Sequence, residues 1–377
     1  KRSFYMDKRI ILAVAGSGKT YHICNELKPL KRNLIIAFTN QNIKNIKDEL
    51  IKIHGDIPKN TRVMTFSKFI YNFYLLPYES LIQEQFFATD FNSDGVYMAD
   101  SPVRRLKNSK GKEYTNPNYI KQEEFEHFVK FISKYKYRYY VDKFSKLVLK
   151  TKDLYKKGTD NVSFFFDKLY IDEFQDFRED DYRLLEKLIK RFNKVLLVGD
   201  YYQHSVNGKN NSGKPIKKNM NYSEYKILLE KLGLEVDDIS LSKSKRCPAN
   251  VCNYVSNKLS ISIESDSEFA GDGDVIFIQN CEEARNILSD STIEKLIFSG
   301  ANKYSFEAIN WGYSKGDTYK NTCIILTGNF ENIENTDVKY KADSTLNKLY
   351  VALTRTKGNV YMLKKSIFDQ IKKDYIQ

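Results

Sequence analysis

The segment Ala13-Val-Ala-Gly-Ser-Gly-Lys-Thr20 overlaps the end of an apolar run, Arg9-Ile-Ile-Leu-Ala-Val14. The run predicts a buried strand, and residues 19–27 have the pattern of a helix. Small residues between a strand and a helix let backbone N–H groups curl around an anion, and the helix dipole adds to the attraction. The segment therefore predicts a phosphate-binding loop, although Ala13 stands where the full pattern has glycine. The predicted phosphate-binding residues are Ala15, Gly16, Ser17, Gly18, Lys19 and Thr20.

Two side chains of this loop have separate predicted roles. Lys19 would reach the β- and γ-phosphates of a nucleoside triphosphate, and the hydroxyl of Thr20 would ligate Mg²⁺. The position of the segment between a strand and a helix favours this interpretation over a chance match in a surface loop.

A second motif, Leu169-Tyr-Ile-Asp-Glu-Phe-Gln-Asp176, places consecutive carboxylates at the end of a short apolar strand. Asp172 would lie at the carboxyl edge of a sheet, where α/β proteins bind ligands, and would hold Mg²⁺ directly or through water. Glu173 would orient and deprotonate the attacking water. Taken alone, the motif better fits an exposed acidic turn that caps the next helix. Its place after a phosphate loop favours the catalytic interpretation.

The order of elements predicts an α/β fold with parallel sheets, because short apolar strands alternate with amphipathic helices. Residues 77–158 interrupt the first series, and we expect them to form a small, mostly helical insertion that includes Lys134-Tyr-Lys-Tyr-Arg-Tyr-Tyr140. A second series has strand candidates at 274–278, 295–298, 322–327 and 359–363. We therefore predict two domains, residues 1–236 and 237–377.

Charge and composition limit the possible partners. Lys and Arg number 61 against 48 Asp and Glu, a formal net charge of +13. This surplus suggests a polyanion such as nucleic acid, although solvated lysines in a biased composition give the same charge. The absence of a long apolar run or a leader predicts a cytoplasmic, intracellular protein with no membrane partner. We expect its source to be a prokaryote or a virus. The five scattered cysteines predict packed, reduced thiols.

Ala15-Gly-Ser-Gly-Lys-Thr20 together with Asp172-Glu-Phe-Gln-Asp176 resembles the UvrD/Rep/PcrA group of superfamily 1 DNA helicases. The resemblance extends from residue 10 to about residue 364 and implies two RecA-like P-loop NTPase domains with ATP or another NTP between them. The further motifs follow in the family's order: Ala37-Phe-Thr-Asn40, Thr65-Phe-Ser-Lys-Phe69, Val198-Gly-Asp-Tyr-Tyr-Gln203, Ser244-Lys-Arg246, Tyr313-Ser-Lys-Gly-Asp-Thr318 and Leu349-Tyr-Val-Ala-Leu-Thr-Arg355.

The resemblance also implies roles for single residues. Gln203 would sense the γ-phosphate, and Gly316 and Thr318 would lie near the ribose. Arg246 and Arg355, both from the second domain, would be arginine fingers. A site with Lys19 and Mg²⁺ on one domain lacks only such cations facing the γ-phosphate from the other side. NTP would then draw the domains together, and hydrolysis would release them.

The resemblance implies a single-stranded nucleic-acid surface after the second and third strands. Its hydroxyl and ammonium groups would contact phosphates, and its aromatic rings would stack on bases. For Phe38 and Phe66 a place in the core is the alternative. The implied contact residues are Phe38, Thr39, Asn40, Thr65, Phe66, Ser67 and Lys68.

The sequence departs from the family in the residues that contact the nucleotide base and in the size of its second domain. No Gln precedes Ala13, and Lys245 replaces the tyrosine that stacks on adenine, so the resemblance carries no preference for ATP. Phe4 or Tyr5 is a candidate to stack instead. The short stretch between Arg246 and Gly316 cannot hold the family's large helical subdomain, which predicts a minimal motor.

Two functions follow from these observations. The first is an NTP-driven translocase and helicase that moves 3′ to 5′ on single-stranded DNA and unwinds it. The alternative is an NTPase that regulates a nuclease partner in DNA repair or phage defence and unwinds little by itself.

Overall fold

The computed structural model describes residues 7–203, 220–336 and 343–376. Phe4 and Tyr5 lie outside these ranges. Two parallel sheets organise the described part of the chain, one of six strands and one of five, here called the first and second sheets. The predicted α/β fold with parallel sheets is confirmed.

The first series of elements follows the predicted alternation. Thr39 caps the helix Asn40–His54, since its side chain accepts a hydrogen bond from the backbone N–H of Asn42, and Gly55 ends that helix in the left-handed conformation. The series comprises β1 (Asp7–Leu12), α1 (Lys19–Glu26), β2 (Asn33–Ala37), α2 (Asn40–His54), β3 (Thr61–Thr65) and α3 (Phe66–Ile70).

The insertion at residues 77–158 is mixed, so the prediction of a mostly helical insertion is wrong. Its elements are α4 (Glu79–Gln85), β4 (Asn92–Tyr97), β5 (Arg105–Lys107), β6 (Glu113–Thr115), β7 (Val129–Ser133), β8 (Lys136–Tyr140), α5 (Phe144–Lys150) and the start of α6 (Leu154–Phe165). The expected helix at 134–140 is strand β8 and the turn before it. Tyr137 and Tyr139 are buried while Lys136 is exposed, which is the two-residue period of a strand.

The chain then completes the first sheet. It forms β9 (Lys168–Ile171), α7 (Glu179–Arg191), β10 (Lys194–Gly199), α8 (Tyr222–Lys231) and β11 (Glu235–Asp237). The strand order is β11-β1-β10-β9-β2-β3, and all pairs are parallel. The predicted boundary at residue 236 falls inside β11, and a division into two domains there stays a prediction.

The second sheet is built from the rest of the chain in the order β14-β18-β17-β15-β16, again all parallel. Two short strands, β12 (Lys243–Ser244) and β13 (Glu264–Ser265), pair with each other outside this sheet. The other elements are α9 (Ala249–Leu259), β14 (Val275–Ile278), α10 (Cys281–Ser289), β15 (Ile293–Ile297), β16 (Ala308–Asn310), β17 (Asn321–Ile325), α11 (Asp343–Leu353), β18 (Val360–Leu363) and α12 (Lys365–Ile371).

The two sheets meet at the carboxyl edge of the first. Ala15, which follows β1, packs in the apolar cluster of the second sheet with Val251, Leu349 and Tyr350. Four of the five cysteines are buried, and none of the five is in a disulfide in the described part of the chain. Among the described residues, no helix is both long and apolar enough to cross a membrane.

Candidate nucleotide site

The loop between β1 and α1 has the backbone of an anion cradle. Gly16 and Gly18 have φ angles of 72° and 90°, a region that favours glycine. The loop is anchored because Ala13 N–H donates to the carbonyl of Gly199 over 2.8 Å. Since α1 starts at Lys19, the unpaired N–H groups of its first turn lie beside this loop.

A cavity of about 270 Å³ joins this loop to residues that follow strands of both sheets. All six residues predicted to be catalytic line it. Of the predicted phosphate and ribose residues, Ala15, Ser17 and Thr318 are not part of the lining. Ala15 and Ser17 are buried, and Thr318 is exposed. The lining consists of Gly16, Gly18, Lys19, Thr20, Tyr21, Asn42, Asn45, Glu49, Asp172, Glu173, Gln203, Arg246, Gly316 and Arg355.

Volume alone does not select this cavity. A cavity of about 630 Å³ lies at the opposite, amino edge of the first sheet, where Asp7, Asn33 and Lys168 begin strands. Another, of about 710 Å³, lies beside β16. Neither contains any of the predicted site residues, whereas the smaller cavity gathers groups that are far apart in sequence.

Thr20 and Asp172 form one side of the cavity. The Thr20 hydroxyl donates to Asp172 Oδ2 over 3.1 Å, and Asp172 Oδ1 accepts from the backbone N–H of Glu173 over 2.9 Å. Burial, followed by the charge of Glu173, raises the pKa of Asp172. A buried carboxylate beside a hydroxyl is the hard oxygen donor set that Mg²⁺ prefers, so these residues fit the metal.

Glu173 lies next to this pair in an unusual backbone conformation, with a φ of 54°. Its carboxylate accepts a hydrogen bond from the Gln175 amide and lies 3.5 Å from Lys315 Nζ. Burial alone would raise the pKa of Glu173, but Lys315 and Lys19 outweigh it and hold the pKa below its usual range. The lowered pKa favours the ionised carboxylate, which is the form that the predicted role as a general base requires.

Lys315 is a site residue that the sequence interpretation missed. It comes from the second sheet's side, and its Nζ lies 2.7 Å from Asp176 Oδ2. The signal was within the quoted Tyr313-Ser-Lys-Gly-Asp-Thr318 motif, where a lysine directly precedes Gly316. Tyr21, Asn42, Asn45 and Glu49 were likewise not predicted.

The two arginines lie side by side opposite the phosphate loop. Arg246 donates to the carbonyl of Thr354 over 3.1 Å, and Arg355 donates from Nε to the carbonyl of Val351 over 2.9 Å. Burial, together with the charge of Arg355, lowers the pKa of Arg246 to about 10. Two neighbouring guanidinium groups in a partly closed cavity favour the binding of an anion there.

The predicted nucleic-acid residues gather at the carboxyl ends of β2 and β3, which pair Ala37 with Thr65. Thr39 and Thr65 cap helices, while Asn40 and Lys68 are exposed. Ser67 is half-buried.

The aromatic residues of this edge are held by the core to different degrees. Phe66 is only 3% exposed, and its ring centroid is 4.9 Å from that of Phe177. The prediction that Phe66 offers a face to a base is therefore wrong, because the core occupies it. Phe38 is half-buried and also meets Phe177, at 5.7 Å.

Comparison with known proteins gives one family and several distant structures. The profile of a family described as an AAA domain matches residues 3–209. No curated protein matches the chain.

The solved structures similar to this chain include viral helicases. They are the PRRSV helicase (11% identity, TM-score 0.44), Arterivirus nonstructural protein 10, a helicase (11%, 0.45), and that protein in complex with DNA (12%, 0.45). Each comparison covers 97% of this chain and 54%, 61% and 62% of the respective structure. The chain thus spans little more than half the length of these structures.

Proposed function

The chain belongs to the AAA domain family, and from this premise we propose that it is a nucleic-acid-dependent NTPase of the UvrD-like superfamily 1 helicase type. Hydrolysis of ATP or another NTP would drive 3′-to-5′ movement on single-stranded DNA and the separation of duplexes. The observation that carries the proposal is the single cavity that joins Lys19 and Glu173 to Arg246 and Arg355. It supplies a phosphate cradle, a base and two facing cations.

The proposed chemistry assigns one task to each group. The N–H groups of the loop and Lys19 bind the phosphates. Thr20 and Asp172 would hold Mg²⁺, which neutralises phosphate charge when bound. Glu173 accepts the proton of the attacking water, and the two arginines stabilise the charge of the transferring phosphoryl group.

The contact between the two sheets supports coupling of hydrolysis to movement. Lys19 and Glu173 follow strands of the first sheet, whereas Arg246 and Arg355 belong to the second part of the chain. Phosphates bound between them would draw the two parts together, and their release would free them. The edge with Thr39, Thr65 and Lys68 would carry the nucleic-acid strand between these states.

We also propose that the chain is a minimal motor that a partner such as a nuclease subunit completes. Residues 247–315, all of them described, hold two α-helices, α9 and α10, among short strands. A second test is whether the purified chain alone unwinds a 3′-tailed duplex. Full unwinding without any partner would contradict this second proposal.

The direct test is hydrolysis of all four NTPs with and without single-stranded DNA or RNA. We expect turnover that rises with the polymer, and we expect Lys19→Ala to abolish it. Glu173→Gln should also abolish turnover but still bind the nucleotide, since only the base is lost. Turnover that no single strand changes would contradict the proposal. Normal hydrolysis by Glu173→Gln would contradict the assignment of the base.

A further inference from the structure

Tyr350 of α11 reaches across the contact between the two sheets. Its ring is fully buried, and its hydroxyl donates to Asp200 Oδ2 over 3.2 Å. The same hydroxyl accepts the backbone N–H of Ala15, in the phosphate loop, over 3.0 Å. Ala15 and Asp200 belong to the first sheet's side and Tyr350 to the second, so one hydroxyl joins three segments.

Two further hydrogen bonds connect Asp200 to Glu173 through Gln175. The backbone N–H of Asp200 donates to Gln175 Oε1 over 3.0 Å, and the Gln175 amide donates to the carboxylate of Glu173. Gly199 makes this approach possible, because a Cβ at that position would lie 2.7 Å from Gln175 Oε1. A continuous series of hydrogen bonds therefore runs from Ala15 through Tyr350 to Glu173.

Tyr350 and Arg355 belong to one hydrogen-bonded segment. α11 ends at Leu353, and Arg355 follows it, with its Nε bonded to the carbonyl of Val351 in the last turn. Any displacement of α11 that withdraws the Tyr350 hydroxyl would also displace Arg355. The hydroxyl and the guanidinium thus arrive at the first sheet together.

We infer that Tyr350 is a positioning residue: it orients the carboxylate of Glu173 to accept the proton of the attacking water only when the second part of the chain is docked on the phosphate loop. The inference rests on the proposed NTPase function and deepens it. When docked, the Tyr350 hydroxyl satisfies Ala15 N–H and fixes Asp200, and Asp200 fixes Gln175 and Glu173. When undocked, the same groups lose that partner, and Glu173 loses its fixed orientation. Hydrolysis is thereby restricted to the docked arrangement.

The kinetics of Tyr350→Phe distinguish a positioning role of the hydroxyl from a purely structural role of the side chain. Tyr350→Phe keeps the ring and its contact with Tyr202, whose centroid lies 5.9 Å away, and removes only the hydroxyl. Loss of orientation at a reacting group costs roughly 10- to 100-fold in rate. We therefore expect kcat to fall by about that factor while KM changes by less than about threefold, because the phosphate contacts remain.

The matched control is Tyr254→Phe on α9. Among the described residues, the buried hydroxyl of Tyr254 has no hydrogen-bond partner, so its removal should leave kcat and KM unchanged. If wild type hydrolyses NTP and Tyr350→Phe equals Tyr254→Phe, the inference is overturned and the proposed function stands. A wild-type chain without turnover overturns both.

A second variant, Gln175→Leu, removes the hydrogen bonds that join Asp200 to Glu173. It tests the inference independently if Tyr350→Phe does not fold. Its kcat should fall like that of Tyr350→Phe. The double variant should be no slower than about the slower single variant, because residues that act as one unit are not additive. An unchanged kcat in Gln175→Leu, or losses that multiply in the double variant, would overturn the inference.

Discussion

Lys315 and Asp176 form a buried ion pair between the two sheets, with Nζ 2.7 Å from Oδ2 and only 10% and 2% of the side chains exposed. Asp176 ends the short helix after β9, and Lys315 follows β16. Burial raises the pKa of Asp176, and Lys315 limits that rise. The pair therefore ties the second part of the chain to the segment that carries Glu173.

The first prediction concerns the loss of this cation. In Lys315→Met two buried carboxylates, Asp176 and Glu173, lose the ammonium group that they share. Removing one member of a buried pair costs about 3 kcal/mol or more of stability. We expect a lower denaturation midpoint, and partial recovery when Asp176→Asn is added. Lys303→Met, at an exposed lysine, is the control. Equal midpoints for the two lysine variants would contradict the prediction.

The sequence predicts local elements and contiguous motifs well. The strands at Thr61–Thr65 and Lys194–Gly199 lie where the apolar runs place them. The motifs converge because the carboxyl ends of parallel strands share one edge. Lys315 was missed because its partner Asp176 is 139 residues away, and no local pattern encodes such a pair.

In the insertion at residues 77–158 the sequence did not predict the secondary structure correctly. Lys134–Tyr140 alternates charged and aromatic residues, which is the two-residue period of a strand, so the helix expected there does not follow from this pattern. Pairing of β8 with β4 and β7 decides the outcome, and those partners are not visible in the local sequence. Phe66 was ambiguous for the same reason, since Phe177 that covers it is distant in sequence.

The second prediction is a pH dependence of stability at Asp181. This side chain is partly buried in the first turn of α7 and accepts the Ser145 hydroxyl over 2.5 Å. Burial raises the pKa of Asp181 to about 7. A raised pKa means that the folded state holds a proton that the unfolded state has released, so this contribution is lost as pH rises from about 4 to about 7.

Asp181→Asn should remove this pH-dependent loss of stability and keep the hydrogen bond from the Ser145 hydroxyl. Between pH 5 and 7 the free energy of unfolding of the variant should rise relative to that of wild type. The difference should grow by at most about 1.4 kcal/mol per pH unit, and by less than that because the side chain is partly exposed. Above pH 8 the difference should be constant. Denaturant unfolding at several pH values measures it. Parallel curves for the two proteins would show that Asp181 does not titrate in this range.

The third prediction tests the nucleic-acid edge. Lys68 and Lys59 are both exposed and flank the two ends of β3. Each phosphate contact on a single strand contributes about 0.7 to the slope of log affinity against log salt. Lys68→Ala should weaken binding of a labelled oligo-dT and reduce that slope by about this amount, and Lys59→Ala should not. Equal slopes for the two variants would remove Lys68 from the interface.

The last prediction compares two glycines with left-handed backbones. At Gly16, with φ of +72°, a Cβ would lie 2.7 Å from Arg246 Cβ and 2.8 Å from Ser244 Oγ. At Gly55, with φ of +81°, nothing lies within 4 Å. Both Gly→Ala variants carry the backbone cost of about 1–2 kcal/mol. Only Gly16→Ala also pushes Arg246 away from the phosphate loop.

We therefore expect Gly55→Ala to lower the denaturation midpoint with unchanged turnover, whereas Gly16→Ala should lose tenfold or more in NTP hydrolysis, on the order expected when a reacting group is misplaced by about 1 Å. Steady-state hydrolysis and thermal unfolding of both variants separate the two effects. If Gly16→Ala turns over like Gly55→Ala, the close packing of Arg246 against the loop is not needed for the chemistry. Loss in Gly16→Ala alone ties turnover to the contact between the two parts of the chain, since Arg246 comes from the second and Gly16 from the first.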